Sequence, residues 1–178
     1  VGTEGMVAGP SEICILADGK TDLNQVITSM IGQAEHDINS QCILITKDKK
    51  LVNKFNIEIK GRIQKVQRKS VVLKSLKNNG LIVFAQTDKQ IIEAINEVAP
   101  EHLEINVSNY KKYLNQIYNA GSIMIGKYSP MAVSDYNVGT NHVLPTLGSA
   151  KFSSGLNLSE FYKKISHITL TKKGIEKL

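Results

Sequence analysis

The segment GQAEHDINSQ, residues 32–41, places an amide, two carboxylates and an imidazole at the end of an otherwise apolar stretch. An amide oxygen and an imidazole three residues apart, as in Gln33 and His36, share one face of a helix and can both ligate a metal ion. Glutamine is an uncommon zinc ligand, and this spacing by itself is more typical of a polar helix end whose histidine meets the negative end of the helix dipole. Gln33 and His36 are therefore candidate metal ligands, with helix-end solvation as the alternative.

A second pair with catalytic chemistry is Glu101–His102 in APEHLEI, residues 99–105. A carboxylate beside an imidazole is typical of general acid–base catalysis. Adjacent residues of a strand point to opposite faces, so both side chains reach one site only if the backbone there is irregular, which Pro100 favours. The alternative is a loop carboxylate next to a hydrogen-bonded structural histidine.

A third candidate cluster lies in the loop SPMAVSDYNVGTNHVLPT, residues 129–146. Its Asp135 and His142 are chemically suited to complete a metal site with Gln33 and His36. Its glycines serve equally well in turns that have no catalytic purpose. The chain contains no Gly-x-Gly-x-x-Gly fingerprint and no P-loop, so it carries no nucleotide-binding signature of its own.

The elements that must position these residues alternate between apolar strands and amphipathic helices. The predicted strands are 12–18, 41–48, 80–86, 103–107 and 121–126; the predicted helices are 22–36, most of the basic segment 47–77, 88–98 and 109–119. This alternation predicts an α/β fold with three layers, a mostly parallel, Rossmann-like sheet with helices on both faces. We expect residues 1–157 to form this domain, including a long functional loop at 127–157, and residues 158–178 to begin a C-terminal helical tail.

Ligands of open α/β sheets bind beyond the carboxyl ends of the strands. The loop cluster at 129–146 follows the last predicted strand and obeys this rule. The segments AGPSE, QAEHD and APEHLEI instead precede a strand or end a helix. On this interpretation, the topology of the sheet does not bring the candidate residues together at one end.

Composition narrows the function classes. Hydrophobic residues make up 42% of the 178 residues, and no apolar run approaches the length that spans a bilayer. The net charge of +6 is concentrated in 47–77, where Phe55 is the only aromatic residue, which favours a solvated helix face over nucleic-acid binding. Cys14 and Cys42 lie in apolar strands and are expected to be buried, reduced thiols of a cytoplasmic protein. The first ten residues, VGTEGMVAGP, have no basic start and no apolar block, so they are not expected to be a signal peptide. The sequence starts at Val1 without an initiator Met, so it is expected to be a piece of a longer protein.

Taken together and in order, the segments AGPSE, QAEHD, APEHLEI, AGSIMIGKYSP, SDYNVGTNHVLPT and FSSGL resemble histidinol dehydrogenase. The resemblance covers nearly the whole chain. It implies oxidation of L-histidinol to L-histidine in two NAD-dependent steps of histidine biosynthesis, with zinc as a second cofactor. It also implies a homodimer that has no nucleic-acid or membrane partner.

The resemblance assigns roles to individual residues. Glu101 and His102 match the catalytic pair, in which His102 is the base for the alcohol and Glu101 activates the water that hydrates the aldehyde. The implied zinc ligands are Gln33, His36 and Asp135. Zinc in this family orients the substrate and does not carry the hydride. The implied substrate contacts are Ser11, Gln33, His36, His102, Asp135 and His142.

The chain departs from the family in length. Family members have a large N-terminal region that contributes most NAD contacts, and a C-terminal tail from the partner subunit that supplies a fourth zinc ligand and a substrate-binding glutamate. We therefore expect this chain alone to bind zinc weakly and to be inactive. The alternatives are a non-catalytic α/β module for binding or dimerisation, and a zinc hydrolase that uses Glu101 and a zinc-bound water.

Overall fold

The computed structural model describes residues 9–136 and 138–177, with the backbone alone for Asp135. Its strands form a five-stranded sheet in the order β3-β2-β1-β4-β5, in which every neighbouring pair is parallel. The strands are β1 Glu12–Ala17, β2 Gln41–Thr46, β3 Gly80–Phe84, β4 His102–Asn106 and β5 Ser122–Ile125. The predicted α/β architecture with a parallel sheet is confirmed.

The helices return the chain from the carboxyl end of one strand to the amino end of the next. The main helices are α1 Leu23–Ala34, α2 Lys49–Ile63, α3 Lys69–Asn79, α4 Asp88–Val98 and α5 Lys111–Leu114. The rest of the described chain adds the 3-10 helices η1 Met131–Asp135, η2 Ser149–Lys151 and η3 Leu158–Phe161, and a short α6 Lys172–Ile175. None of the helices in the described residues is long and apolar enough to cross a membrane. The division into a domain and a tail at residue 158 stays a prediction.

Two hydrophobic clusters, one on each face of the sheet, form the core. On one face, Ile13 and Ile15 of β1 pack with residues of α1, α2 and α3. On the other face, Cys14 and Leu16 of β1 pack with residues of α4. All six residues of β1 are buried, as is expected for a central strand covered on both faces. Cys14 and Cys42 are buried free thiols, as predicted, and burial raises the pKa of each to about 12.

The prediction of a single helix over most of 47–77 is wrong. The segment forms two helices, because α2 ends at Ile63 and α3 begins at Lys69. A single helix of that length would extend about 45 Å, far beyond strands of about 20 Å, so its far end would have no sheet to cover. The turn between the helices folds the second apolar stripe, which contains Val72, back onto the same core.

The fourth predicted helix, 109–119, is also shorter in the structure. Helix α5 covers only Lys111–Leu114. The side chain of Asn96 on α4 accepts hydrogen bonds from the backbone N–H groups of Tyr118 and Asn119, at 2.8 and 3.2 Å. These amides are held by a side-chain amide oxygen of a neighbouring helix, which replaces the helical pattern at the end of the segment.

Helix α1 ends at Ala34, two residues earlier than predicted, and Glu35 is its C-cap residue. His36 therefore lies in the turn after the helix and does not extend the helical face of Gln33. The His36 backbone N–H still donates to the carbonyl oxygen of Gln33 at 3.2 Å, so the two residues remain one tight turn apart.

Candidate functional site

Three of the candidate segments meet at the amino end of the sheet. Ser11 immediately precedes β1, Glu101 immediately precedes β4, and these two strands are neighbours. The carbonyl oxygen of Ser11 also accepts from the backbone N–H of Gln41, the first residue of β2, at 3.1 Å. Helix α1 returns to this end, where Gln33 lies in its last turn. The prediction that topology does not unite these segments is wrong, because in an all-parallel sheet the residues that precede the strands and those that end the helices share one end.

The Glu101–His102 pair is enclosed. Each residue is 6% exposed, and the Oε2 atom of Glu101 is 3.5 Å from the Nδ1 atom of His102. An irregular backbone precedes the pair, as expected from Pro100, because Ala99 adopts the left-handed conformation with φ of 47°. Glu101 thus lies just outside the regular strand, and the alternation of side chains along β4 does not force it away from His102.

Backbone atoms of Glu12 hold both members of this pair. The N–H of Glu12 donates to Oε2 of Glu101 at 2.9 Å, and the carbonyl oxygen of Glu12 is 3.1 Å from Nδ1 of His102. In the tautomer whose Nδ1–H donates to that carbonyl, Nε2 is the basic nitrogen of His102. The arrangement therefore suits a histidine that accepts a proton and a carboxylate that activates a water molecule.

The side chain of Glu12 is a feature that the sequence reasoning missed. It is buried, and its carboxylate accepts from the backbone N–H of Leu147 at 3.0 Å and from that of Glu101 at 3.3 Å. Burial raises the pKa of Glu12, while these two hydrogen bonds oppose the rise. Through its hydrogen bond with Leu147, Glu12 links the long loop to the amino end of the sheet. The available signal was a glutamate at the head of the strongly apolar strand EICILA.

Gln33 is the most unusual polar residue at this end. It is 1% exposed, and neither Oε1 nor Nε2 of its side chain has a hydrogen-bond partner among the described residues. Leaving a buried amide unpaired costs about 1–3 kcal/mol, so such a group calls for an explanation. A ligand that binds the amide oxygen provides one.

The donor set formed by Gln33, His36 and Asp135 fits a zinc ion chemically, because it combines an imidazole with amide and carboxylate oxygens. The unpaired amide of Gln33 supports this fit. His36 is exposed, which leaves its imidazole accessible. The described residues contain no group of three or more His, Cys, Asp and Glu side chains that could hold a metal, but glutamine is not among those types. Asp135 ends η1, and its side chain lies outside the described part of the chain.

The remaining predicted contacts differ in placement. Ser11 is half-buried at the amino end, beside the first residues of β1 and β2. His142 is exposed in the long loop. The structure therefore brings Ser11 to the candidate site and leaves the position of His142 relative to that site as a prediction.

Glu104, in the middle of β4, was also missed from the sequence. It is fully buried, and burial raises its pKa against three hydrogen bonds that favour the charged form. Ser29 Oγ and the backbone N–H of Met131 donate to its Oε1 at 2.9 and 2.7 Å, and Asn106 Nδ2 donates to its Oε2 at 3.1 Å. A glutamate in the middle of the buried strand HLEIN was the signal that could have found it.

An open cavity of about 590 Å³ lies at the opposite, carboxyl end of the sheet. Leu16 and Ala17 of β1 form part of its wall, together with polar residues that follow β2 and β4. Close to it, Asp88 accepts hydrogen bonds from Lys112 Nζ at 2.6 Å, from Lys47 Nζ and from Tyr113 Oη at 2.8 Å. These donors, Lys112 first among them, hold the pKa of Asp88 well below its usual value of 3.8.

Comparison with known proteins agrees with the motifs at the amino end. The family model described as histidinol dehydrogenase matches residues 2–178. The chain belongs to the histidinol dehydrogenase family. It is 52% identical to the histidinol dehydrogenase of Pelagibacter ubique strain HTCC1062 over 178 residues, which are 100% of this chain and 42% of that relative.

Other members of the family give the same result. A histidinol dehydrogenase of Listeria monocytogenes is 42% identical over 172 residues, 97% of this chain and 40% of that relative. The crystal structure of histidinol dehydrogenase from Elizabethkingia anophelis superposes with a TM-score of 0.87 at 37% identity, covering 97% of this chain and 40% of that one. The chain thus spans about 40% of the length of the family members that it matches.

Proposed function

We propose that this chain contributes the substrate-binding and acid–base residues of an enzyme that oxidises L-histidinol to L-histidine with NAD. The observation that carries the proposal is the enclosed Glu101–His102 pair, located at the same end of the sheet as the unpaired amide of Gln33. Family membership supports the reaction class. The match to about 40% of each relative limits the proposal to this part of the catalytic machinery.

His102 is the proposed base that takes the proton of the substrate alcohol. The carbonyl oxygen of Glu12, 3.1 Å from Nδ1, fixes the ring orientation and favours Nε2 as the basic nitrogen. Glu101 is the proposed base that activates water for hydration of the intermediate aldehyde. Its carboxylate is oriented by the backbone N–H of Glu12, at 2.9 Å. Burial of both residues excludes bulk water, which strengthens their interactions with substrate.

Gln33, His36 and Asp135 are the proposed ligands of a zinc ion, which when bound would orient the substrate through its amine and imidazole groups. The unpaired, buried amide of Gln33 supports this assignment. Ser11 and His142 are further proposed substrate contacts.

NAD is the proposed hydride acceptor. We assign most of its contacts, and a fourth metal ligand, to the part of the relatives that these 178 residues do not match. A homodimeric, cytoplasmic enzyme without nucleic-acid or membrane partners completes the proposal.

The test measures zinc content and histidinol-dependent NADH formation, both for the 178-residue chain and for the complete product of its gene. We expect weak zinc binding and no turnover by the chain alone, since positioning of the hydride acceptor supplies much of the rate enhancement. We expect turnover by the complete product, and its loss in Glu101→Gln and His102→Asn. Lys112→Ala, at the far end of the sheet, is the matched control and should retain turnover.

Two results would overturn the proposal. A complete gene product that is folded and zinc-loaded, yet oxidises no histidinol, would favour a binding or dimerisation module. Zinc-dependent hydrolysis that requires Glu101 but no NAD would favour a hydrolase.

A further inference from the structure

Two polar stripes face each other between α1 and β4. Polar residues spaced four apart lie along one side of the helix, and polar residues spaced two apart lie along one face of the strand. They are Gln25, Ser29 and Gln33 on α1, and His102, Glu104 and Asn106 on β4. The hydrogen bond from Ser29 Oγ to Glu104 Oε1, at 2.9 Å, joins the two stripes at their middle members.

Glu104 connects three segments through one carboxylate. Its Oε1 atom accepts from Ser29 on α1 and also from the backbone N–H of Met131, the first residue of η1. Its Oε2 atom accepts from Asn106 on its own strand. The side chain is 0% exposed, so no water competes for these bonds. One buried oxygen therefore sets the distance between α1 and the start of η1.

Both of the elements that Glu104 joins also carry a proposed metal ligand. On α1, Gln33 follows Ser29 by one helical turn, and on η1, Asp135 is four residues after Met131. Met131 is itself 6% exposed and packs in the core beside α1, so its backbone amide is fixed from two directions. A change in the distance between α1 and η1 at Glu104 would therefore also change the distance between Gln33 and Asp135.

We propose that Glu104 is a positioning residue that fixes α1 against η1 and thereby sets the spacing of Gln33 and Asp135 for metal binding. This inference rests on the proposed function. Glu104 acts through the two elements and does not itself touch the metal or the substrate. Groups that orient metal ligands in this way typically change metal affinity about 10–100-fold when they are removed.

The test compares four variants of the complete gene product. Glu104→Met keeps the length of the side chain and removes both acceptors. Glu104→Gln is the conservative variant, because its amide oxygen can accept from Ser29 and Met131 while its NH₂ group donates to Asn106, whose Oδ1 has no partner among the described residues. Ser29→Ala removes one donor. Asp88→Asn is the matched control, a hydrogen-bonded acid at the opposite end of the sheet.

The readouts are the zinc dissociation constant by chelator competition, the absorption spectrum of the cobalt(II)-substituted protein, and hydrogen exchange of the Met131 amide in the metal-free protein. We expect Glu104→Met to raise the dissociation constant about 10–100-fold, to alter the cobalt spectrum and to expose the Met131 amide. Ser29→Ala should cause the same three changes to a smaller extent, and Glu104→Gln should retain most of the zinc affinity. Asp88→Asn should lower the melting temperature without changing the dissociation constant or the spectrum, which separates positioning from a general loss of stability.

The outcomes distinguish this inference from the proposed function. If the unmodified protein binds no zinc, the proposed metal site is overturned and this inference with it. If the unmodified protein binds zinc and a folded Glu104→Met variant has the same affinity and spectrum, only the positioning role is overturned. If Glu104→Met does not fold, Ser29→Ala decides: a raised dissociation constant supports the role, and an unchanged one overturns it.

Discussion

The two ends of the sheet hold ionisable residues in opposite environments. At the amino end, Glu12 is 4% exposed and its carboxylate is bonded to backbone amides, so burial dominates and raises its pKa. At the carboxyl end, the side chain of Asp88 is 39% exposed between Lys47 and Lys112, so hydrogen bonding to cations dominates and lowers its pKa. The difference shows that enclosure distinguishes the amino end, whereas the carboxyl end is a solvated network of paired charges.

The two ends of the sheet also differ in which sign of a binding site they carry: one has a cavity, and the other has residues with suitable chemistry. The carboxyl end has the open cavity and the topological position at which ligands of such sheets usually bind. The amino end has the buried acid–base pair and the unpaired amide. Fold position is a weaker guide to function than the chemistry of the residues present, and here the two point to opposite ends.

The largest expected effect concerns catalysis. In the complete gene product, His102→Asn should lower kcat for histidinol oxidation about 10²–10⁴-fold, because a positioned base contributes that much to proton transfer. Lys112→Ala at the carboxyl end should change kcat less than twofold. Steady-state NADH formation measures both. A large loss of kcat in Lys112→Ala would mean that the carboxyl end takes part in the reaction. It would contradict the assignment of catalysis to the amino end alone.

The second effect concerns Gln33. Gln33→Met removes an unpaired buried amide, so it should stabilise the metal-free chain by about 1–2 kcal/mol. The same change should abolish the rise in melting temperature that zinc causes in the unmodified chain. Urea unfolding and thermal melting with and without zinc measure these. Gln116→Met, at a position where the amide already donates to the carbonyl of Lys112 at 2.9 Å, is the control and should not gain stability.

The third effect is a difference in pH dependence. Because the folded pKa of Glu12 is raised above 4.5, its contribution to stability is fully present below that pH and is lost as the pH rises through the folded pKa. The lowered pKa of Asp88 gives the opposite sign: its contribution is present above 3.8 and is lost as the pH falls. Urea unfolding between about pH 3 and pH 8 measures both slopes.

A substitution at each end of the sheet should remove the pH dependence of the unfolding free energy that the replaced residue causes. Glu12→Gln should reduce the loss of unfolding free energy above pH 4.5, leaving the contribution of the same sign from Glu104, whose pKa is also raised by burial. Asp88→Asn should reduce the loss on acidification. Equal and parallel pH profiles for the two variants would contradict the assignment of burial to one end and ion pairing to the other.

The smallest effect is expected from the charge network itself. Lys47→Met should lower the unfolding free energy by about 0.2–1 kcal/mol, since exposed ion pairs contribute little and salt screens them. The effect should disappear at about 1 M salt, where the Debye length is short. A larger, salt-independent loss would contradict the assignment of this network as a set of solvated ion pairs.

The sequence by itself determined the fold class and most of the elements. The apolar strands EICILA and QCILIT and the helix at 88–98 were predictable because their periodicity and boundaries depend on nearby residues. The division of the basic segment at Ile63 and Lys69 was not, because the limit on helix length comes from the width of the sheet that the helices cover. The early end of α5 was not predictable for a similar reason, since the backbone N–H of Tyr118, beyond that helix, donates to Asn96 of α4.

For the candidate site, the sequence determined which side chains have suitable chemistry, and the order of weak motifs indicated the family. Only the tertiary structure decided that Ser11, Glu101 and Gln33 share the amino end of the sheet, because this follows from the parallel pairing of β1 with β4 and the return of α1. It also decided the roles of Glu12 and Glu104, which bond to residues far away in the chain. Whether a glutamate in an apolar strand is enclosed, and which backbone amides meet it, depends on segments that a local pattern does not contain.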